Sequence, residues 1–237
     1  MVKSTSENAP QNKYRKNPGR LKKRSGKPAG AQAGTRAQPK RLLRPARNRR
    51  TGAVFLVGFM GAGKTSVGRA LGQRLNWIFE DLDDRIEHRE GRTVAEIFRD
   101  AGESEFRRAE HNALKHLLDE LRGGSTRIVA LGGGAFVQPD NASLLTASEV
   151  PTVFLDASVE DLWERCSRQA SEDGAERPLL RSKEQFRELY ESRRPGYAKA
   201  VLRIKAGNRS VEAIAAEIAE TLGLKKIEVR SQQGETE

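Results

Sequence analysis

The residues best equipped for chemistry occupy positions 58–65, Gly-Phe-Met-Gly-Ala-Gly-Lys-Thr, a G-x-x-x-x-G-K-T pattern. Glycines let the backbone curl around a phosphate, so that the N–H groups of Gly61, Ala62, Gly63, Lys64, Thr65 and Ser66 can face the anion. Lys64 is long enough to reach β- and γ-phosphates, and the Thr65 hydroxyl suits Mg²⁺. Such a loop needs a strand before it and a helix after it, because the helix adds its positive N-terminal end at the same spot. Both are indicated: residues 53–57, AVFLV, are apolar and β-rich, and residues 66–75 have helical character. The motif specifies a nucleoside triphosphate site and leaves the acceptor open.

Acceptor chemistry has three further candidates. The first is the run Glu80-Asp81-Leu82-Asp83-Asp84 after the short apolar run 77–79. Carboxylates just past a strand sit where open α/β sheets bind ligands. In extended chain Asp81 and Asp83 point the same way, one toward a metal and the other toward an acceptor hydroxyl. A helix N-cap cluster using Asp83 and Asp84 is the competing reading. The second candidate is Gly132-Gly133-Gly134, which follows the buried run 128–131 and clears side chains from a spot facing the loop. The third is the set Arg107, Arg177 and Arg193, whose planar forks suit carboxylate and phosphate. No guanine-reading N-K-x-D run is present.

These residues must be held by a frame, and the pattern of runs supplies one. Apolar runs at 53–57, 77–79, 128–131, 151–155 and 201–204 read as strands. Helical patterns lie between them: 64–75, with Val67, Leu71 and Leu75 facing the sheet, then a charged stretch to Glu90 and a Thr93-capped helix ended by Gly102. A long amphipathic helix spans 103–122, followed by 159–166, 182–197 and 211–222. Residues 167–181 are polar without apolar period and read as a mobile loop. Alternating strands and helices predict a three-layer α/β/α domain around a central, mostly parallel five-stranded sheet.

Charge divides the chain. Residues 1–50 carry 16 Lys or Arg against the single acid Glu7, whereas the remaining residues carry 27 basic and 31 acidic side chains. The basic excess therefore belongs to the first 50 residues, rich in Lys, Arg, Pro, Gly and Ala, which read as a disordered extension. That extension is open to three roles: weak polyanion binding, an organelle transit peptide, or a solvated tail. The domain itself offers no dedicated nucleic-acid site. Residues 225–237 read as a polar C-terminal tail. With one cysteine, Cys166, no intrachain disulfide can form, which fits a reducing compartment. No run approaches the ~18 apolar residues of a membrane span. A cytoplasmic location is expected, because the extension is Pro-rich and lacks an amphipathic helical pattern.

Beyond the loop, the runs GFMGAGKTSVGRALGQRL, DLD, GRTVAEIFRDAGESEFRRAE, LGGGA, ERPLL and RRPGY, in this order, resemble shikimate kinases across residues 53–223. The resemblance implies a P-loop kinase of nucleoside-monophosphate-kinase-like fold with a mobile lid, domain limits near 51–224, and transfer of the ATP γ-phosphoryl group to the 3-hydroxyl of shikimate. Residue by residue it implies that Asp83 binds the ring hydroxyls and serves the acceptor oxygen. It gives Asp81, with Thr65, to Mg²⁺, and Arg107 and Arg193 to the shikimate carboxylate, with Glu110 orienting Arg107. Gly132, Gly133 and Gly134 form the wall beneath the ring. Arg177 lies over the phosphates from the lid, and Arg165 and Arg209 flank the adenine. A monomer is expected. A kinase for another polyol acid such as gluconate, or a non-catalytic ligand-sensing regulator, are the alternatives. The basic extension, the long lid and Leu82 depart from the usual pattern.

Overall fold

A computed structural model describes residues 52–173 and 182–227. Five strands, β1 (Ala53–Val57), β2 (Ile78–Asp81), β3 (Arg127–Ala130), β4 (Thr152–Asp156) and β5 (Leu202–Lys205), form one sheet in the order β2-β3-β1-β4-β5. All four pairings are parallel. The central strands β1 and β4 are buried along their whole length, as continuous apolar runs in a parallel sheet must be. Because every strand runs the same way, all five C-terminal ends open onto one edge. The order reverses at β1, so the crevice that binds ligands in such sheets opens at its end.

Seven helices complete the described chain: α1 (Lys64–Leu75), α2 (Leu82–Glu90), α3 (Val94–Arg122), α4 (Pro139–Ala147), α5 (Val159–Asp173), α6 (Lys183–Tyr197) and α7 (Val211–Thr221). Helix α1 packs on β1, β2 and β3 and against α7. Its Gly68 allows the close approach: a Cβ there would lie 2.3 Å from the Phe79 ring. Helix α3 starts with the expected Thr93 cap, a reciprocal capping box with Glu96. Gly102 then breaks it at φ 80°, ψ 178°, and the axis resumes toward Arg122.

Three segments differ from the sequence reading. A 3-10 turn (Ala135–Val137) and α4 follow the triple glycine, where no element was expected. Pro139 at the first helical position starts α4, and only Asn141 and Leu145 of it are buried, which leaves too faint an apolar period to see. Helix α5 continues to Asp173 instead of ending at Cys166; the polar extension carries an Arg168–Glu164 ion pair at i,i+4 in place of an apolar face. The rest of the expected lid, 174–181, lies outside the described residues, and Arg177 with it. At the other end, Ile227 N–H donates to the Leu75 carbonyl at 2.9 Å, so the chain past α7 is tied to the end of α1.

Candidate active site

The expected donor wall is the turn from β1 into α1. Gly63 takes φ 87°, a left-handed conformation open to glycine, and hands the chain to Lys64, the first residue of α1. Gly61 is glycine for a second reason: α5 lies on it, and a Cβ would meet Cys166 Sγ at 2.8 Å and the Leu162 carbonyl at 2.9 Å. Phe59 anchors the loop from beneath, buried edge-on against Phe186 and Tyr190 of α6 at 5.0 and 5.5 Å between centroids. Lys64 Nζ donates to the carbonyls of Gly58 and Phe59 at 3.0 and 3.1 Å. Burial lowers its pKa, against the opposing pull of Asp83 and Asp81. Arg165 Nη2 donates to the Ala206 carbonyl at 3.0 Å, and its Nη1 reaches the Gly61 carbonyl at 3.4 Å. That side chain joins the loop to the segment after β5, which also carries Arg209. Arg209 donates to the Lys205 carbonyl at 3.2 Å and pairs with Glu217 at 2.5 Å.

The two key acids meet for a different reason than strand alternation. Asp81 ends β2 and is the N-cap of α2, its Oδ1 accepting from the Asp83 N–H at 3.1 Å. Asp83 therefore stands in the first helical turn, and Leu82 between them is fully buried in the core. The cap is Asp81, not Asp83 or Asp84. Its second oxygen accepts from the Thr65 hydroxyl at 3.1 Å, which places the two expected metal ligands side by side. Burial raises the pKa of Asp81, while the Asp83 N–H and Thr65 hydroxyl counteract it. Burial, reinforced by Asp81, pushes Asp83 to about 6. A hydroxyl and a carboxylate are hard oxygen donors that suit Mg²⁺. Among the described residues no cluster of three acidic, His or Cys side chains forms a ready cage. Phosphate and water oxygens would complete the coordination, the usual arrangement for Mg²⁺ at phosphate sites.

The expected acceptor wall is the triple-glycine turn after β3. A Cβ on Gly132 would lie 2.7 Å from Asp83 Oδ1 and 3.3 Å from Glu110 Oε1. One on Gly134 would collide with the Arg107 guanidinium at 2.6 Å. The first and last glycines are thus floors for protein side chains. A Cβ on Gly133 would lie 3.7–3.9 Å from Arg193 Nη1, the Met60 nitrogen and the Gly58 carbonyl, so the turn looks at the phosphate loop. Arg107, on α3 past the Gly102 break, donates to Glu110 Oε2 at 3.0 Å and to Glu103 Oε1 at 3.0 Å. Burial pulls its pKa down, but Glu110 and Glu103 outweigh that and raise it. Burial likewise raises Glu110, against the pull of Arg107. Arg193, from α6, stands over the Phe59 ring at 5.9 Å.

The structure therefore brings Lys64, Thr65, Asp81, Asp83, Arg107, Glu110, Gly132, Gly133, Gly134 and Arg193 to one cleft at the C-terminal edge of the sheet. Two contributors escaped the sequence reading. Glu103 is the second brace of Arg107, visible in principle from its i,i+4 spacing. Tyr197 donates its hydroxyl to the Gly133 carbonyl from the end of α6. It stands four residues after Arg193, the spacing that shares a helix face.

This arrangement has counterparts among known proteins. The family model for shikimate kinase matches residues 60–223. Shikimate kinase from Cereibacter sphaeroides is 41% identical over 172 residues, covering 71% of this chain and 81% of that protein. The Thermus thermophilus enzyme is also 41% identical over 172 residues, covering 71% of this chain and 89% of its own. The solved structure of Acinetobacter baumannii shikimate kinase in complex with shikimate superposes with a TM-score of 0.64 at 33% identity, over 72% of this chain and 92% of that one. A phosphate loop facing an acid, two arginines and a glycine turn thus agrees with the sequence relatives and the solved fold: this chain belongs to the shikimate kinase family.

Proposed function

We infer that this chain transfers the γ-phosphoryl group of ATP to the 3-hydroxyl of shikimate, a step toward chorismate and the aromatic amino acids. The observation that carries the reading is the shared floor: Asp83 packs on Gly132 and Arg107 on Gly134, so hydroxyl and carboxylate recognition sit two residues apart on either side of Gly133. An acceptor spanning that turn has its carboxylate held by Arg107 and Arg193 and a hydroxyl at Asp83, facing the phosphate loop. Glu110 and Glu103 fix the Arg107 fork before the acceptor arrives, so little ordering remains to be done on binding.

Phosphoryl transfer asks little covalent chemistry of a protein and much alignment. Asp83, with its raised pKa, orients the acceptor hydroxyl and takes its proton as the oxygen bonds to the γ-phosphorus and the bond from that phosphorus to the bridging oxygen breaks, releasing ADP. Lys64 compensates charge on the phosphates from the first turn of α1. Thr65 and Asp81 are the residues to hold Mg²⁺, which when bound neutralises phosphate charge. Arg177 is assigned to the phosphates by resemblance, and Arg165 and Arg209 to the adenine side. The single cysteine is in keeping with a reducing cytoplasm.

A coupled assay measures ADP release with Mg²⁺, ATP and either shikimate or gluconate. The expected result is saturable turnover with shikimate and none with gluconate. Absence of turnover at millimolar shikimate, in protein that binds ATP, would overturn the assignment.

A further inference from the structure

Tyr197 is the largest fully buried side chain among the described residues, yet its one polar atom is spent at the acceptor wall, on the Gly133 carbonyl. Its ring is packed against Phe154 of β4, 5.4 Å between centroids. The neighbouring Gly196 is pressed on the 3-10 turn, where a Cβ would meet Val137 Cγ1 at 2.6 Å. The end of α6 is thus wedged against the segment that follows the triple glycine. One turn earlier, Arg193 adjoins both the Tyr197 phenol and Gly133. Burial pushes the phenol up to about 12, so it remains a proton donor throughout the working range.

We propose that Tyr197 is a positioning residue for the acceptor: its hydroxyl sets the orientation of the Gly133–Gly134 peptide and locks it to the helix that carries Arg193. The argument is one of backbone geometry. In a trans peptide the C=O and N–H point in opposite directions. With the Gly133 carbonyl drawn onto Tyr197, the Gly134 N–H is turned the other way, and Gly134 itself lies beneath the Arg107 guanidinium. Glycines on both sides leave that peptide free to rotate, because no Cβ restricts either residue. The carbonyls on either side are held within the turn, Gly132 by the Ala135 N–H at 3.0 Å and Gly134 by the Val137 N–H at 3.2 Å, and the buried phenol holds the Gly133 carbonyl between them. Tyr197 touches no reacting atom; it acts through the turn and through Arg193. The proposal rests on the acceptor being a shikimate-like carboxylate bound at this wall.

Tyr197→Phe keeps the ring and removes only the hydroxyl. The expected result is a rise of about tenfold in KM for shikimate with KM for ATP changed by less than about twofold. Tyr190→Phe is the control: Tyr190 is buried on the same helix, but its hydroxyl donates to the Ala157 carbonyl at 3.1 Å, away from the turn. It should lower Tm without splitting the two KM values. An unchanged KM for shikimate in Tyr197→Phe, or both KM values rising in proportion, would overturn the proposal. Hydrogen exchange on the wild-type chain tests it without a substitution. Shikimate must slow exchange at 132–135 and at 196–200 together, and slowing confined to the turn would count against the coupling. Wild-type activity with shikimate is read in the same series, so a failure of the functional assignment is seen separately from a failure of this one.

Discussion

Asp83 Oδ1 and Glu110 Oε1 are both buried without a hydrogen bond among the described residues, and both lie on Gly132. Such oxygens cost stability, ~1–3 kcal/mol each when nothing satisfies them. For Asp83 the cost has a pH signature. The unfolded carboxyl titrates near 3.8 and the folded one near 6, so the folded chain binds the proton more tightly. Ionised Asp83 therefore destabilises the fold fully above about pH 6, progressively less as pH falls toward 3.8, and not at all below that. Asp83→Asn should stabilise metal-free protein at pH 7.5 by of order 1–2 kcal/mol after allowance for solvent screening, read as a higher Tm. The gain should fade toward pH 4, and turnover should fall by about a thousandfold or more. Thermal melts at pH 7.5 and 4.5 beside the kinase assay check it; an Asn variant less stable than wild type at pH 7.5 contradicts it. The identity of these residues was legible in the sequence, but the reason they converge was not. Strand alternation suggested that Asp81 and Asp83 point alike, whereas Asp81 caps α2 and Leu82 turns into the core. Capping competes with strand extension at a distance of one residue, and the string of letters does not say which prevails.

Helices decide where the arginines stand. α3 is two helices joined at Gly102, whose φ of 80° and ψ of 178° lie in a region open essentially to glycine alone. The first part is fixed by the Thr93–Glu96 capping box; the second carries Glu103, Arg107 and Glu110. Nothing lies within 4 Å of the position a Cβ would take at Gly102, so Gly102→Ala meets strain without a clash. It should cost about 1–3 kcal/mol, with KM for shikimate rising more than KM for ATP because Arg107 stands beyond the break. Equal Tm values for variant and wild type would show that the bend tolerates a side chain. The break itself was legible, since glycine amid a helical pattern marks it, as were Thr93 and the strand runs. Helix α4 and the outer part of α5 were not. Helix α4 buries only Asn141 and Leu145, and residues 167–171 of α5 are all at least partly exposed, so the apolar period that reveals a helix is absent.

For the molecule as a whole, charge and fold are partitioned. The sheet and its crevice lie within residues 52–227, whereas 16 of the 43 basic residues precede position 51. All the described site residues fall in the former. Deleting residues 1–50 should leave kcat/KM for both substrates within about twofold, and should remove any retention on a polyanion column at low salt. A large loss of turnover on truncation would give the extension a part in catalysis.

The bond from Ile227 N–H to the Leu75 carbonyl fixes Ile227 at the end of α1. α1 starts at Lys64, beside the phosphate loop, and 11 residues later has its far end at Leu75. At 1.5 Å per residue these ends are ~17 Å apart. Ile227 accordingly stands at the end of α1 opposite the phosphate loop. A fluorescent reporter joined directly to Ile227 would therefore start well away from the mouth of the cleft.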